Sequence, residues 1–151
     1  MSEPRKQAPM WEAEASPGGR ISLADYRGKY LVLYFYPASF TLMCTRETIG
    51  FRDAAAELRA LGAEVVGISP DPLDKQCKFA DHYQTKFPII ADPEGVIARD
   101  YGVKRSLLPA VKRVTFIIDP EGFIAARFHH ELLWYKHIDD ALDFLRAHPK
   151  K

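Results

Sequence analysis

The stretch Y34-F-Y-P-A-S-F-T-L-M-C-T-R-E-T-I-G-F51 decides the reading of this chain. It closes a continuous apolar run, Tyr30–Tyr36 (YLVLYFY), and opens a segment with helical periodicity. A run of aromatic and β-branched residues with no polar alternation reads as a strand buried on both faces, which places it centrally in a helix-covered sheet. Pro37 has no N–H to donate, so ladder pairing stops there. Thr41 is a natural N-cap. Phe51, Ala54, Ala55, Leu58 and Leu61 then recur at helical spacing, and Gly62 stands where a C-terminal glycine belongs. Cys44 therefore falls in the first turn of a helix that leaves the C-terminal end of a strand. Unpaired N–H groups and the positive end of the helix dipole point there, and both favour a thiolate over a thiol. Cys44 lies seven residues before Phe51, on the inward face. A partly shielded thiolate in a pocket at the strand's end is expected, where open α/β sheets place their active sites. The competing reading is a small buried core residue, since free cysteine is among the most buried residue types.

Outward from this unit the pattern alternates. Residues around Met10–Ala13 suggest a short strand, followed by a turn at Pro17-Gly18-Gly19. R20-I-S-L-A-D-Y-R-G-K29 reads as a short strand, a helical turn and a loop. Ala63–Ser69 is the next strand, and Asp71-Pro72 opens a second helix with Asp71 as N-cap, running to about Gln84. F87-P-I-I-A-D-P-E-G95 is a strand and turn, and Val96–Tyr101 a short helix. Val114–Ile118 and Phe123–Phe128 form a hairpin across D-P-E-G, and Ile138–Ala147 is a closing helix. The two copies of Asp-Pro-Glu-Gly are read as one turn solution used twice, because nothing around them matches. The expected fold class is α/β: one thioredoxin-like domain over residues 1–151, with a mixed central sheet and helices on both faces.

Bulk properties narrow the function. The chain has 151 residues, 47% hydrophobic and 27% charged, which suits one soluble domain with a real core. A net charge of +1 gives no electrostatic case for nucleic acid or an anionic membrane. No run is long enough to span a bilayer, and the N-terminus lacks the apolar core of a secretory signal, so a cytoplasmic location is expected. Two cysteines without a C-x-x-C pair make neither a disulfide framework nor a dithiol redox motif. No cofactor motif or zinc-ligand spacing is present.

P37-A-S-F-T-L-M-C44 matches Pro-x-x-x-Thr-x-x-Cys and so resembles the peroxiredoxin family. C44-T-R-E47, F51-R-D53 and R113-V-T-F-I-I-D119 extend the likeness to the bacterioferritin comigratory protein, or peroxiredoxin Q, subfamily over nearly the whole chain. The resemblance implies a thiol peroxidase in which the Cys44 thiolate attacks a peroxide and becomes a sulfenic acid. It implies that Arg113, the Thr41 hydroxyl and the first-turn N–H groups stabilise the charge spreading over the two oxygens, while Pro37 shields the sulfur. The substrates implied are hydrogen peroxide and small alkyl hydroperoxides. The implied reductant is thioredoxin, glutaredoxin or a low-molecular-weight thiol, and the state monomeric or homodimeric.

This sequence departs from the subfamily pattern in three places. Ile49 stands where many members carry a resolving cysteine, and Leu42 and Met43 replace Pro and Gly, making the loop bulkier and more apolar. Other members place the resolving cysteine on the next helix, where Cys77 lies at the edge of an apolar arc of Leu73, Ala80 and Tyr83. Cys77 is thus either the resolving cysteine or a packed, inert thiol in a one-cysteine enzyme; a bridge requires Cα atoms within roughly 7 Å and unwinding of the first turn. A silent thioredoxin-fold redox sensor or interaction module is the reading from another class. Glu47 reads as a solvated helix glutamate without a catalytic role. His129, His130 and His137 read as surface or interface residues, because neighbours on a strand face opposite sides.

Overall fold

The computed structural model describes residues 6–106 and 111–148, and the Pro149-Lys150-Lys151 tail lies outside them. A six-stranded sheet has the order β1-β8-β7-β4-β5-β6. Its strands are β1 (Lys6–Gln7), β4 (Tyr30–Phe35), β5 (Ala63–Ser69), β6 (Ile89–Ala91), β7 (Val114–Ile118) and β8 (Phe123–His129). A separate hairpin pairs β2 (Glu12–Glu14) with β3 (Arg20–Ser22). The helices are α1 (Leu42–Ala60), α2 (Leu73–Tyr83), α3 (Val96–Asp100) and α4 (Trp134–Ala147), with a 3-10 turn at Leu23–Tyr26. β4 lies between β5, to which it is parallel, and β7, to which it is antiparallel, so the sheet is mixed and YLVLYFY is its central strand.

Two cores follow from the alternation along β4. Leu31, Leu33 and Phe35 join Trp11, Ala13, Ile97, Tyr101 and Phe116 on the face covered by the N-terminal segment and α3. Val32, Tyr34 and Tyr36 join Phe51, Leu58, Phe79, Ala141 and Leu145 under α1, α2 and α4. Each such fully buried aliphatic or aromatic side chain contributes roughly 1.5–3 kcal/mol. Tyr34 stacks on Phe51 with ring centroids 4.5 Å apart and meets the Thr48 hydroxyl at 2.9 Å, so β4 is locked to α1 by packing and by a hydrogen bond. Gly67 on β5 makes room for that ring: a Cβ there would lie 2.8 Å from the Tyr34 hydroxyl and Cζ. At the end of α1, Gly62 has φ +85°, the left-handed conformation expected of the residue after a helix.

The N-terminal segment crosses one whole face of the sheet. Lys6 and Gln7 pair with β8 at one edge. Ala8, Trp11 and Ala13 are buried beneath the sheet, and Ala15 and Ser16 reach β6 at the other edge, with Ser16 N–H donating to the Ile89 carbonyl at 3.0 Å and Ile89 N–H to Ser16 Oγ at 2.9 Å. The short strand expected around Met10–Ala13 is displaced to Glu12–Glu14, and β1 carries too few residues to show in any periodicity. The two Asp-Pro-Glu-Gly turns use their aspartates alike. Asp92 accepts from the N–H groups of Ile97 and Ala98 to start α3, and Asp119 from those of Glu121 and Phe123 to close the β7–β8 hairpin.

Candidate active site

The loop from β4 to α1 is fixed at Ser39. Its N–H donates to Asp71 Oδ2 at 2.6 Å, its hydroxyl donates to Gln76 Oε1 at 2.7 Å, and the Tyr36 hydroxyl lies 2.9 Å from Ser39 Oγ. Gln76 Nε2 donates in turn to Ser69 Oγ at 2.7 Å and to the Ile90 carbonyl at 2.9 Å. Asp71 also accepts from Ser69 Oγ at 2.7 Å and pairs with Lys75 at 2.9 Å. It is therefore not the N-cap of α2: Pro72 takes that position and Leu73 is the first helical residue. A donor from a loop 32 residues away claims the carboxylate instead, which no local pattern reveals.

Beyond Ser39 the chain turns sharply. Phe40 has φ +68°, rare for a bulky residue, and its ring packs edge-on against Phe79 at 5.1 Å. Thr41 is the N-cap of α1, as the sequence indicates. Its hydroxyl donates to the Ala38 carbonyl at 2.7 Å, which holds the turn shut. The N–H groups of Leu42, Met43 and Cys44 open the helix without an acceptor inside it. Pro37 is half-buried beside them, and Leu42 is 67% exposed, an apolar rim on the loop.

Cys44 is more deeply placed than a partly shielded thiol, with only 1% of its surface exposed. Arg113 comes from the residue before β7, directly beside β4, and its Nη1 lies 3.3 Å from Cys44 Sγ. The same nitrogen donates to Glu47 Oε1 at 2.9 Å, Nε donates to the Glu131 carbonyl at 3.1 Å, and the Arg113 N–H donates to Glu131 Oε2 at 3.2 Å. Burial works against the guanidinium charge, but Glu47 and Cys44 outweigh it and hold Arg113 above its ordinary pKa. The structure thus joins Cys44 and Arg113 across 69 residues of sequence.

Two residues at this site were read otherwise in the sequence. Glu47 is wholly buried against Arg113 rather than solvated, and burial pushes its carboxyl up to about 8 although Arg113 pulls the other way. The signal existed: Glu47 follows Cys44 by three residues and precedes Phe51 by four, so all three share the inward face of one helix. His137 is also wholly buried rather than on the surface. Its Nε2 donates to the His130 carbonyl at 2.8 Å, its Nδ1 lies 2.8 Å from the Thr115 hydroxyl, and burial lowers its pKa to about 4. Nothing in H129-H-E-L-L-W-Y-K-H137 distinguishes it from its neighbours, because α4 begins a turn earlier than the expected Ile138 and carries His137 inward.

Cys77 stands apart from this group. It flanks the buried side of α2, formed by Gln76, Phe79 and Ala80, and is half-buried. It lines a groove of about 610 Å³ with Ser16, Pro17, Asp81, Lys86 and Phe87, and none of the other predicted site residues borders that groove. Among the described residues no cluster of three or more His, Cys, Asp or Glu side chains is arranged to hold a metal ion, and no helix is long and apolar enough to cross a membrane.

A cysteine at a helix N-terminus, held under an arginine on a thioredoxin-like sheet, is the arrangement of a thiol peroxidase. The AhpC/TSA family matches residues 4–127, and the chain belongs to that family, as a peroxiredoxin of the bacterioferritin comigratory protein and peroxiredoxin Q kind. A Mycobacterium tuberculosis protein named as a peroxiredoxin is 43% identical over 120 residues, 78% of each chain. Among solved structures, the peroxidoxin BcpB of Mycobacterium tuberculosis superposes with a TM-score of 0.91 at 37% identity and covers 97% of both chains. A Xanthomonas campestris bacterioferritin comigratory protein, solved in work on its alkyl peroxide reduction activity, superposes with a TM-score of 0.85 at 27% identity over 93% of this chain and 92% of its own. The enzyme uses a peroxide as oxidant and a thiol as reductant.

Proposed function

We propose that the chain acts as one thioredoxin-fold peroxidase domain that reduces hydrogen peroxide and small alkyl hydroperoxides at Cys44. The observation that carries this reading is the 3.3 Å contact between Arg113 Nη1 and Cys44 Sγ, with Cys44 only 1% exposed. The Cys44 thiolate attacks one peroxide oxygen; the S–O bond forms as the O–O bond breaks, leaving Cys44 sulfenic acid and water or an alcohol. Thiolate character alone does not make the step fast, because nucleophilicity falls with thiol pKa. Rate comes from donors aimed at charge that develops on both oxygens. Arg113 and the open N–H groups of the first turn supply them. The Thr41 hydroxyl joins by turning from the Ala38 carbonyl towards the bound peroxide. Pro37 excludes water from the sulfur, and the exposed Leu42 favours the alkyl end of an organic hydroperoxide. The Cys77 thiol then attacks the sulfenic sulfur, the S–O bond breaks and water leaves, giving a Cys44–Cys77 disulfide; thioredoxin, glutaredoxin or a low-molecular-weight thiol restores both thiols and is itself oxidised to a disulfide.

Cys44 lies within the core and Cys77 borders a separate groove, so α1 must unwind its first turn to bring them together. That separation also favours a second reading, a one-cysteine peroxidase with Cys77 inert. Intact mass after one equivalent of hydrogen peroxide, without reductant, decides between them. The expected result is a loss of about two mass units in the wild type and a gain of one oxygen in Cys77→Ser. A gain of oxygen in both proteins replaces the disulfide route with the one-cysteine route. No change in either, with peroxide unconsumed, removes Cys44 from the reaction.

A further inference from the structure

The reaction above leaves a buried acid beside the reacting sulfur without a part. Glu47 is 0% exposed and its Oε2 has no hydrogen-bond partner among the described residues, while its Oε1 shares Arg113 Nη1 with Cys44 Sγ. One guanidinium nitrogen therefore serves two groups that can each be anionic. His137 Nε2 lies 3.7 Å from Oε2, beyond hydrogen-bond reach. That nitrogen must carry a hydrogen to donate to the His130 carbonyl, and burial keeps the ring neutral, so Nδ1 is left to accept from the Thr115 hydroxyl. His130, on the far side, pairs with Asp140. Tyr34 faces the cluster from β4 with its hydroxyl on Thr48, and Glu131, in the segment after β8, adds negative charge. Among the described residues Arg113 is thus the single cation in contact with both Cys44 and Glu47, and two anions in a dry site cannot both be matched by it.

We propose that Glu47 is the proton store of the site: it holds a proton while Cys44 is a thiolate and gives it up when Cys44 becomes a sulfenic acid, so that Arg113 faces one anion throughout. This rests on Cys44 as the attacking thiol. The step balances: Cys44–S⁻, ROOH and Glu47–COOH become Cys44–SOH, ROH and Glu47–COO⁻. Sulfur loses two electrons to the peroxide, and the proton taken by the leaving oxygen is matched by the one Glu47 loses. Reduction back to the thiolate returns a proton to Glu47. A carboxyl raised by burial to about 8 suits the reduced state, in which it is neutral at pH 7. Glu47 touches Arg113 and not the reacting atoms, so it is a positioning residue that acts through the guanidinium.

The test uses Cys77→Ser protein, which stops at the sulfenic acid, with and without Glu47→Gln. After one equivalent of hydrogen peroxide, infrared difference spectra should show a protonated-carboxyl stretch lost and carboxylate bands gained only in the protein that retains Glu47. In lightly buffered solution at pH 7, the Glu47→Gln protein should take up one proton per Cys44 oxidised and the Glu47 protein none. Cys44→Ser, which carries no charge at residue 44, should show the Glu47 carboxylate without any peroxide and does not depend on the glutamine variant folding. An unchanged carboxyl band with Cys44 oxidised, equal proton uptake in both proteins, or a protonated Glu47 in Cys44→Ser overturns the proposal. Peroxide consumption in the same samples keeps the two claims apart: oxidation without the carboxyl change sinks Glu47 alone, whereas no oxidation sinks Cys44 and Glu47 together.

Discussion

The Arg113 side chain makes three polar contacts, with Glu131, Cys44 and Glu47, and divides them by geometry. Nε is spent on the Glu131 carbonyl, which orients the fork, and Nη1 is left to face Cys44 and Glu47. Lysine carries the charge but has no fork, so it cannot be held by one nitrogen and donate with another. Arg113→Lys is therefore expected to fold and to slow the reaction of Cys44 with hydrogen peroxide by about 10²–10³, the range found when one oriented donor is removed from a developing anion. Stopped-flow peroxide consumption under single turnover checks this; an unaltered rate would mean charge alone suffices. Cys44 and Thr41 could be read in the sequence because each occupies a position defined by its own element, a first turn and an N-cap, whereas Arg113, beside Lys112 at a strand start, is singled out only by the family resemblance. Glu47 carries a local signal, the inward face it shares with Cys44 and Phe51, but nothing local names Arg113 as its partner; His137 carries none, because the Thr115 hydroxyl it meets lies 22 residues away.

At the scale of elements, the loop before α1 is held less by its own residues than by the start of α2. Ser39, Ser69, Asp71 and Gln76 form a closed set of hydrogen bonds between the two, all within the core. Burial disfavours the Asp71 charge, but the Ser39 N–H, the Ser69 hydroxyl and Lys75 outweigh it, so its pKa lies below the ordinary 3.8. A depressed carboxyl stabilises the fold above its unfolded value, and that contribution is lost as the pH falls through the folded value. Asp71→Asn should thus cost about 1.5–3 kcal/mol at neutral pH, the worth of hydrogen bonds to a charged group, with the difference from wild type closing below pH 3.8. Urea denaturation at several pH values measures it, and a constant difference would exclude the charge as the source. The strands and helices themselves were legible because period and turn chemistry are local. β5 and β7 fall on their expected bounds, whereas the start of α2 slips by one residue, since the residue expected to cap it is engaged by Ser39.

For the whole molecule, the pH dependence of stability above pH 4 carries the mark of His137. Burial outweighs the His130 carbonyl bond and lowers the imidazole to about 4, so the native ring is neutral where the unfolded one is charged. A lowered histidine stabilises fully above the unfolded value of 6.5, and the contribution drains away as the pH falls towards 4. The loss amounts to about 3 kcal/mol over that window. Glu47, raised to about 8, works in the opposite sense over part of this range, so the contribution is read as a difference: in thermal melts the stability gap between wild type and His137→Gln should widen from pH 4 to 6.5, and a gap that does not change with pH would place the titrating group elsewhere. Stability at this scale also depends on residues 6–16. The crossing N-terminal segment binds β8 at one border of the sheet and β6 at the other, so a single stretch of chain closes both open ladders. A proteolytic cut after Ser16 would bare two strand edges in one event while leaving Cys44 and Arg113 untouched. The clipped enzyme would lose solubility before it lost chemistry, and would be found in the pellet rather than among the inactive.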